Sequence, residues 1–424
     1  MKICYIADTS SIHSQRIISH STSKGDEILV ISSASSRTDI AGAKTIHLLS
    51  GNFVSSSDDA QQQKIGVKAH LKSVIPVSLK MLVIEIVRAV RLLSKRRFCA
   101  EQIDCFDPNV VYCFRTFAEG VLASFCHSHP LLLRTAGPDI SKLPKFPVFR
   151  QLVRRALKTA DVVVTESIWE RELVQKLCRF RVSPEVEILG VDTHLFQPPV
   201  SQGVLRQRYD VSKDAFVIVS NRSLEGHYNG WLLVEAVESV AELCPNLFLL
   251  YASPTKMGLR TKARAEAITA RCSHIRFLDR RVPHAEVPDI LGCADVFVSL
   301  SSYDGIPNSV LEAMACGIVP IVAELPQLHE WIEHGKTGYF VQQRDVNGLA
   351  SLIRDLYNNR ERLPTIASRC VEQIRKRGSY DDCMERTREL LLKLAKPTDF
   401  KKDAPAVSPS LKTQSPICCR TISE

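Results

Sequence analysis

Two carboxylates, one guanidinium and one helix start carry the chemistry legible in this chain. Asp304 and Glu312 stand with seven residues between them in SSYDGIPNSVLEAMACG, residues 301–317. Gly305 and Pro307 make a polar turn, and Asn308 to Ala315 reads as a helix that Gly317 stops. That spacing puts Asp304 on a loop at a site mouth and Glu312 on the second helical turn, deeper, where it can accept hydrogen bonds from a ribose. Charge-assisted hydrogen bonds of this kind are the strong ones. The same spacing also suits an Asp that merely favours the helix dipole together with a solvated Glu. The segment Gly305, Ile306, Pro307, Asn308 and Ser309 presents a helix N-terminus to any phosphate. Arg222 follows the apolar run AFVIVS at 215–220. A planar guanidinium fork suits a diphosphate, although a lone strand-end Arg is more often a surface residue.

These residues need elements to hold them. ADVFVSL at 294–300 and IVPIVA at 318–323 are strand-like, so the acidic stretch lies in a β-turn-α-β unit. Such a unit places its loop at the carboxyl edge of a parallel sheet. Further strands are expected at 2–7, 27–32, 109–114, 131–134, 160–166, 247–252 and 274–278, with helices between them. After the first strand come Ser10, Ser11, His13 and Arg16, either a capped helix start with solvated His and Arg or a cleft wall. No G-x-G-x-x-G occurs, which removes the dinucleotide fingerprint. Residues 51–65 are polar and read as a mobile loop. Residues 76–98 form one helix, apolar almost all round and ending in Lys95-Arg96-Arg97. It is either a buried Rossmann-type helix or an interfacial one for anionic lipid. DVNGLASLIRDLYN at 345–358 has one apolar face, a last helix runs over 384–394, and the Pro-, Ser- and Lys-rich tail after Lys396 reads as disordered.

Composition bounds the class. The 424 residues imply two or three domains, with 45% apolar and 24% charged residues, as in soluble globular proteins. The 14 cysteines contain no C-x-x-C, and Cys4, Cys113 and Cys293 sit in apolar runs as small core residues. That usage fits a reducing cytosol. The sequence opens on a strand rather than a signal peptide and lacks a membrane-spanning run, so a cytoplasmic chain is expected. The net charge of +9, with Lys142, Lys145, Arg150, Arg154, Arg155 and Lys158 in the first half, favours an acidic glycan or an anionic membrane surface. No basic-aromatic module or zinc motif accompanies it, which speaks against nucleic acid. Neither metal nor cofactor is called for.

With PQLHE at 326–330 and HGKTGYF at 334–340, the block from Ser301 resembles the nucleotide-sugar signature of GT-B glycosyltransferases, specifically the retaining family 4. That family has an acidic residue, seven others, Glu, and then Ala-Met-Ala-Cys-Gly. Asp304 replaces its usual first Glu and reaches about one methylene less. RTAGPDI at 134–140 is similar to the family's H-G-S-D-I loop: Gly137, Asp139 and Ile140 match, but Ala136 stands where the His beside the transferred sugar is usual. Arg222 matches a diphosphate-binding Arg, and His227 occupies the place of its partner Lys. GVD at 190–192 resembles the crossing between domains. The resemblance, strong over 216–340 and weak over 20–130, implies two Rossmann-like α/β domains facing across a cleft. These would be 1–197 on the acceptor side and 198–377 for the nucleotide-sugar, with 378–396 as a helix crossing back and 397–424 as the tail. It further implies transfer of a sugar from a nucleotide diphosphate donor, itself a substrate, to a glycan or lipid-linked hydroxyl with retention, in cell-envelope polysaccharide synthesis. Asp304 would sit at the sugar, Glu312 at the ribose, and Arg222 with the loop amides at the leaving phosphate; Ser10, Ser11, His13, Gly137 and Asp139 are cleft candidates. A non-catalytic scaffold subunit, motivated by the three departures, and a sugar-nucleotide epimerase stay as alternatives.

Overall fold

The computed structural model describes residues 1–49, 77–126, 128–253 and 256–396. The segment 51–65, expected to be mobile, and the tail after Lys396 lie outside them. Two all-parallel sheets result. The first has the order β3-β2-β1-β4-β5-β6-β7. Its strands are β1 (Lys2–Ala7), β2 (Glu27–Ser32), β3 (Lys44–His47), β4 (Val110–Phe114), β5 (Leu131–Arg134), β6 (Val162–Thr165) and β7 (Glu185–Val186). The second has the order β10-β9-β8-β11-β12-β13. It contains β8 (Phe216–Ser220), β9 (Leu247–Tyr251), β10 (Ile275–Phe277), β11 (Val296–Ser299), β12 (Val319–Ala323) and β13 (Tyr339–Val341). Both therefore reverse direction beside their first strand, and the carboxyl ends flanking that reversal form the crevice where open α/β sheets take ligands.

The cause is legible strand by strand. A parallel strand is covered by helices on both faces, so it must be apolar without alternation. In β1, Ile3, Tyr5 and Ala7 pack into one core layer and Cys4 and Ile6 into the other. Cys4, Cys113 and Cys293 are buried free thiols, as the apolar context suggests.

The helix expected over 76–98 is two helices, Val77–Ser94 and Arg96–Phe106. The chain turns at Lys95, whose N–H bonds the Leu92 carbonyl at 3.0 Å. The basic triplet thus lies at a junction rather than on a last helical turn. The first of the pair is not buried all round either: Ala89 and Leu92 face inward, while Ile86, Val87 and Val90 are exposed.

The chain crosses between the sheets twice, and the crossings are bonded side by side: Val191 N–H donates to Gly378 O and Tyr380 N–H to Val191 O, both at 2.8 Å. Gly190 adopts φ +76°, and a Cβ there would meet Tyr380 Cα at 2.7 Å. Only glycine fits. The last helix, Tyr380–Ala395, starts earlier than the sequence suggests and lies against the first sheet. Arg388 pairs with buried Asp26, and Arg386 holds Glu187 with both carboxylate oxygens engaged at 2.6 and 2.9 Å. Thr387 Oγ1 accepts from buried Arg134 at 2.9 Å.

Candidate active site in the cleft

The reversal point of the second sheet lies between β8 and β11, and the residues singled out by type and spacing gather there. Asn221 and Arg222 follow β8; the loop to Asp304 follows β11. Arg222 is ion-paired with Asp304 through Nη2, and Nη1 donates to Ser309 Oγ at 3.2 Å. The guanidinium lies 4.4 Å from the Tyr228 ring centroid. Its Nε is buried with no partner among the described residues. Asp304 is fixed in turn: its Oδ1 accepts from Gly305 N–H at 3.0 Å, and Gln327 Nε2 donates to its carbonyl at 2.7 Å. The helix Asn308–Ala315 begins beside this pair, Pro307 standing at the N-cap where its missing N–H costs nothing. Cation, helix start and carboxylate therefore converge on one point.

Glu312 lies one layer deeper, 7% exposed. Its Oε1 is 3.3 Å from Nε2 of His284, and that ring packs edge-on against Phe196 at 5.3 Å between centroids. The cleft joining these groups holds about 840 Å³. Arg222, Asp304, Gly305, Ile306, Pro307, Asn308, Ser309 and Glu312 all line it, as do His13, Arg16 and Gly137 from the first sheet.

The two halves touch inside it. Asn308 Nδ2 bonds His13 Nδ1 at 3.2 Å. Burial, helped by the nearby Arg16 charge, pushes the His13 imidazolium down to about 4, so the ring is neutral at pH 7. With the Asn308 amide donating, Nδ1 accepts and the ring proton sits on Nε2. A Cβ on Gly137 would stand 2.7 Å from both N and Cα of Gly305. The backbones of the two domains meet there directly. Glu330 of the second half also caps a helix of the first, accepting from Ile168 N–H at 3.0 Å and Trp169 N–H at 3.1 Å.

Three cleft candidates lie elsewhere. Ser10 is exposed and donates to Asp8 Oδ1 at 2.6 Å, and Ser11 is an N-cap residue without a side-chain capping bond; neither lines the cleft. Asp139 is buried under the loop after β4, where its Oδ2 accepts from Thr116 and Phe117 N–H at 3.1 Å each and Oδ1 from Arg115 at 3.3 Å. That loop contains Arg115 at φ +86° and Ala118 at φ +61°, and Asp139 holds it in place. His227 stacks on Tyr303 with centroids 4.3 Å apart and leaves Arg222 as the cation at the helix start. Sequence reasoning did not single out Glu166, Tyr228, His284 or Gln327. Only Glu166, at the end of an apolar strand, carried a signal: a carboxylate at a parallel-sheet carboxyl edge. Among the described residues no group of three or more His, Cys, Asp or Glu is placed to hold a metal ion.

Residues 216–359 match the family described as "Glycosyl transferases group 1". The chain is 28% identical over 247 residues to a GDP-mannose-dependent alpha-(1-6)-phosphatidylinositol monomannoside mannosyltransferase of Mycolicibacterium smegmatis, covering 56% of this chain and 63% of that protein. Across three curated relatives the alignments span 45%, 63% and 61% of the relative's length. Sucrose-phosphate synthase from Thermosynechococcus elongatus superposes with a TM-score of 0.72 at 14% identity, over 93% of this chain and 99% of that one. The HepE protein of Anabaena, in complex with UDP, gives 0.67 at 16% identity over 93% and 100%. The fold is GT-B: two Rossmann-like domains across a cleft, with the C-terminal helix on the first.

Proposed function

We propose that this chain is a retaining glycosyltransferase that moves a sugar from a nucleotide diphosphate donor to a hydroxyl of a glycan or lipid-linked acceptor, in cell-envelope polysaccharide synthesis. The observation that carries this reading is the convergence of Arg222, Asp304 and the helix Asn308–Ala315 at one sheet reversal, with Glu312 one layer deeper on the same helix. A diphosphate at the helix start meets the positive dipole end and the Arg222 fork. Charge developing on the departing phosphate is then stabilised where it forms. Glu312 takes ribose hydroxyls, and Asp304 faces the sugar. His13, neutral and held by Asn308, brings a ring N–H from the first domain to the same cleft. The two carboxylates are not a glycosidase pair, because they lie in series along a donor rather than opposite each other across a bond.

The test is thermal-shift binding of UDP, GDP, ADP and their common sugar conjugates to the wild type and Glu312→Ala. One nucleotide is expected to stabilise the wild type. The variant should lose about 1.5–3 kcal/mol of that binding, the range for hydrogen bonds to a charged group. No stabilisation by any nucleotide would sink the reading.

The acceptor side fits a cytoplasmic protein peripheral to the inner membrane face. No described helix is long and apolar enough to cross a membrane. Val90, Phe146 and Val148 are exposed on the first domain; in sequence, Lys95-Arg96-Arg97 follow Val90 and Lys145 precedes Phe146. Insertion of such residues with basic neighbours favours an anionic surface. Sedimentation with vesicles containing phosphatidylglycerol, absent with pure phosphatidylcholine and reversed by salt, is the expected result; equal binding to both would contradict it.

A further inference from the structure

Beside the cleft, aromatic and basic side chains touch in series from Arg222 to the other domain. The Arg222 guanidinium lies 4.4 Å from the centroid of the Tyr228 ring. Tyr228 meets the His227 ring at 3.9 Å between centroids, and His227 stacks on Tyr303 at 4.3 Å with the planes 15° apart. Over Tyr303, at 4.1 Å, stands the ammonium of Lys142. Lys142 belongs to the first domain and follows the short helix Gly137–Ser141, whose first residue meets Gly305. The loops after β8 and β11 are bound together beneath the rings: Ser302 N–H donates to His227 O at 2.7 Å and Asn229 Nδ2 to Leu300 O at 2.8 Å. The rings themselves have only one another. Among the described residues neither the Tyr228 nor the Tyr303 hydroxyl has a hydrogen-bond partner, and the Lys142 ammonium makes no ion pair. Burial lowers the His227 imidazolium pKa, with Asp304 opposing and Arg222 and Lys142 helping, so at pH 7 the ring is neutral and stacks as an uncharged aromatic.

Of the contacts that fix Arg222, the one with Tyr228 spends no hydrogen-bond donor. The bonds to Asp304 and Ser309 use the N–H groups that a diphosphate needs, whereas a ring covers the flat face and leaves them free. Each ring in the series is held by the next, and the last is held by a cation from across the domain boundary. Resting on the glycosyl-transfer reading above, we propose that Lys142 is a positioning residue for sugar transfer: from the first domain it holds Tyr303 and, through His227 and Tyr228, keeps Arg222 in the pose that meets the departing phosphate. The cation that serves the donor is then fully set only where the two domains meet. A lysine that merely joined the domains would act equally whether Arg222 were present or not.

The experiment follows nucleoside diphosphate release from UDP-glucose, GDP-mannose and ADP-glucose, with water as the acceptor. It compares the wild type, Lys142→Met, Lys142→Arg, Arg222→Ala and the double variant Lys142→Met with Arg222→Ala; titration with UDP, GDP and ADP gives Kd. Lys142→Met keeps an unbranched stem and loses the charge. It should lower kcat about five- to tenfold, the size of a partly desolvated cation–π contact, with the nucleoside diphosphate Kd within about twofold of wild type. Lys142→Arg returns a cation to the ring and should stay within about twofold in kcat. In the Arg222→Ala background, Lys142→Met should cost less than about twofold. Hydrogen exchange over residues 222–229, which needs no turnover, should quicken at least about threefold in Lys142→Met and not in Lys142→Arg. An unchanged kcat in a folded Lys142→Met overturns the proposal, and so does an equal loss in both backgrounds, the mark of a strut. Where water yields no measurable release, unchanged exchange in Lys142→Met overturns it alone. If none of the nucleotides binds the wild type, the glycosyl-transfer reading falls and takes this one with it; bound nucleotide with a loss independent of Arg222 defeats the role of Lys142 alone.

Discussion

Arg222→Ala is expected to lower kcat/KM for sugar transfer by roughly 10²–10³-fold, about 2.7–4 kcal/mol, the loss typical when one preorganised donor to a developing anion is removed. The magnitude follows from its surroundings. Stacked on Tyr228 and tied to Ser309, the guanidinium is held in one pose at the helix start, so little reorganisation precedes its contact with a phosphate. His227, five residues on, stacks on Tyr303 and supplies no second cation there. The substitution also strips Asp304 of its ion-pair partner. A double-mutant cycle with Asp304→Asn separates the two effects: if Arg222 acted only by pairing Asp304, its removal would cost nothing further in the Asp304→Asn background. Arg222→Lys should recover only part, because a point charge cannot bridge two phosphate oxygens as a planar fork does. Steady-state kinetics with kcat and KM resolved decides it, and an Arg222→Ala enzyme within a few fold of wild type would remove the residue from the mechanism.

Gly137→Ala is the second large effect, and it acts without touching a charged group. The added methyl would meet backbone N and Cα of Gly305 at 2.7 Å, and neither can swing aside as a side-chain tip does. Relief requires the two domains to part locally by the better part of an ångström. Misplacement of about 1 Å costs on the order of 10²-fold in turnover when reacting groups come from both sides of a cleft. The donor groups Arg222, Asp304 and Glu312 all belong to the second half, so nucleotide affinity should stay near wild type. The expected pattern is kcat down about a hundredfold, nucleotide Kd little changed, and the fold retained at a penalty of about 1–3 kcal/mol for overpacking. Unaltered kcat would mean that the close approach of Gly137 and Gly305 is irrelevant to turnover.

What the sequence made legible was local. The alternation of apolar runs and helices gives both sheets, because strands covered on two faces must be apolar throughout. Asp304, Pro307 and Glu312 could be placed because loop, helix start and second turn follow one another without a gap. Arg222 was identified, but its pairing with Asp304, 82 residues away, depends on β8 and β11 being neighbours. Asp139 misled for the complementary reason: an Asp beside a sheet edge can face a ligand or cap strained backbone, and the left-handed turn at Arg115 and Ala118 that claims it belongs to another loop. Glu330 was silent because the helix it caps, at Ile168 and Trp169, belongs to the opposite domain. Exposed Val90 was hidden in a helix apolar enough to look buried, since hydropathy does not say which face finds a neighbour.

The last helix has a consequence for how the protein is made. Buried Asp26 and Arg134, both in the first domain, find partners at Arg388 and Thr387, more than 250 residues further along. During synthesis the first sheet can form early, but those two charges remain buried without these partners until nearly the whole described chain has left the ribosome. The domain begun first is therefore finished last, and shortening the chain before Tyr380 injures the half that lies farthest from the cut in sequence.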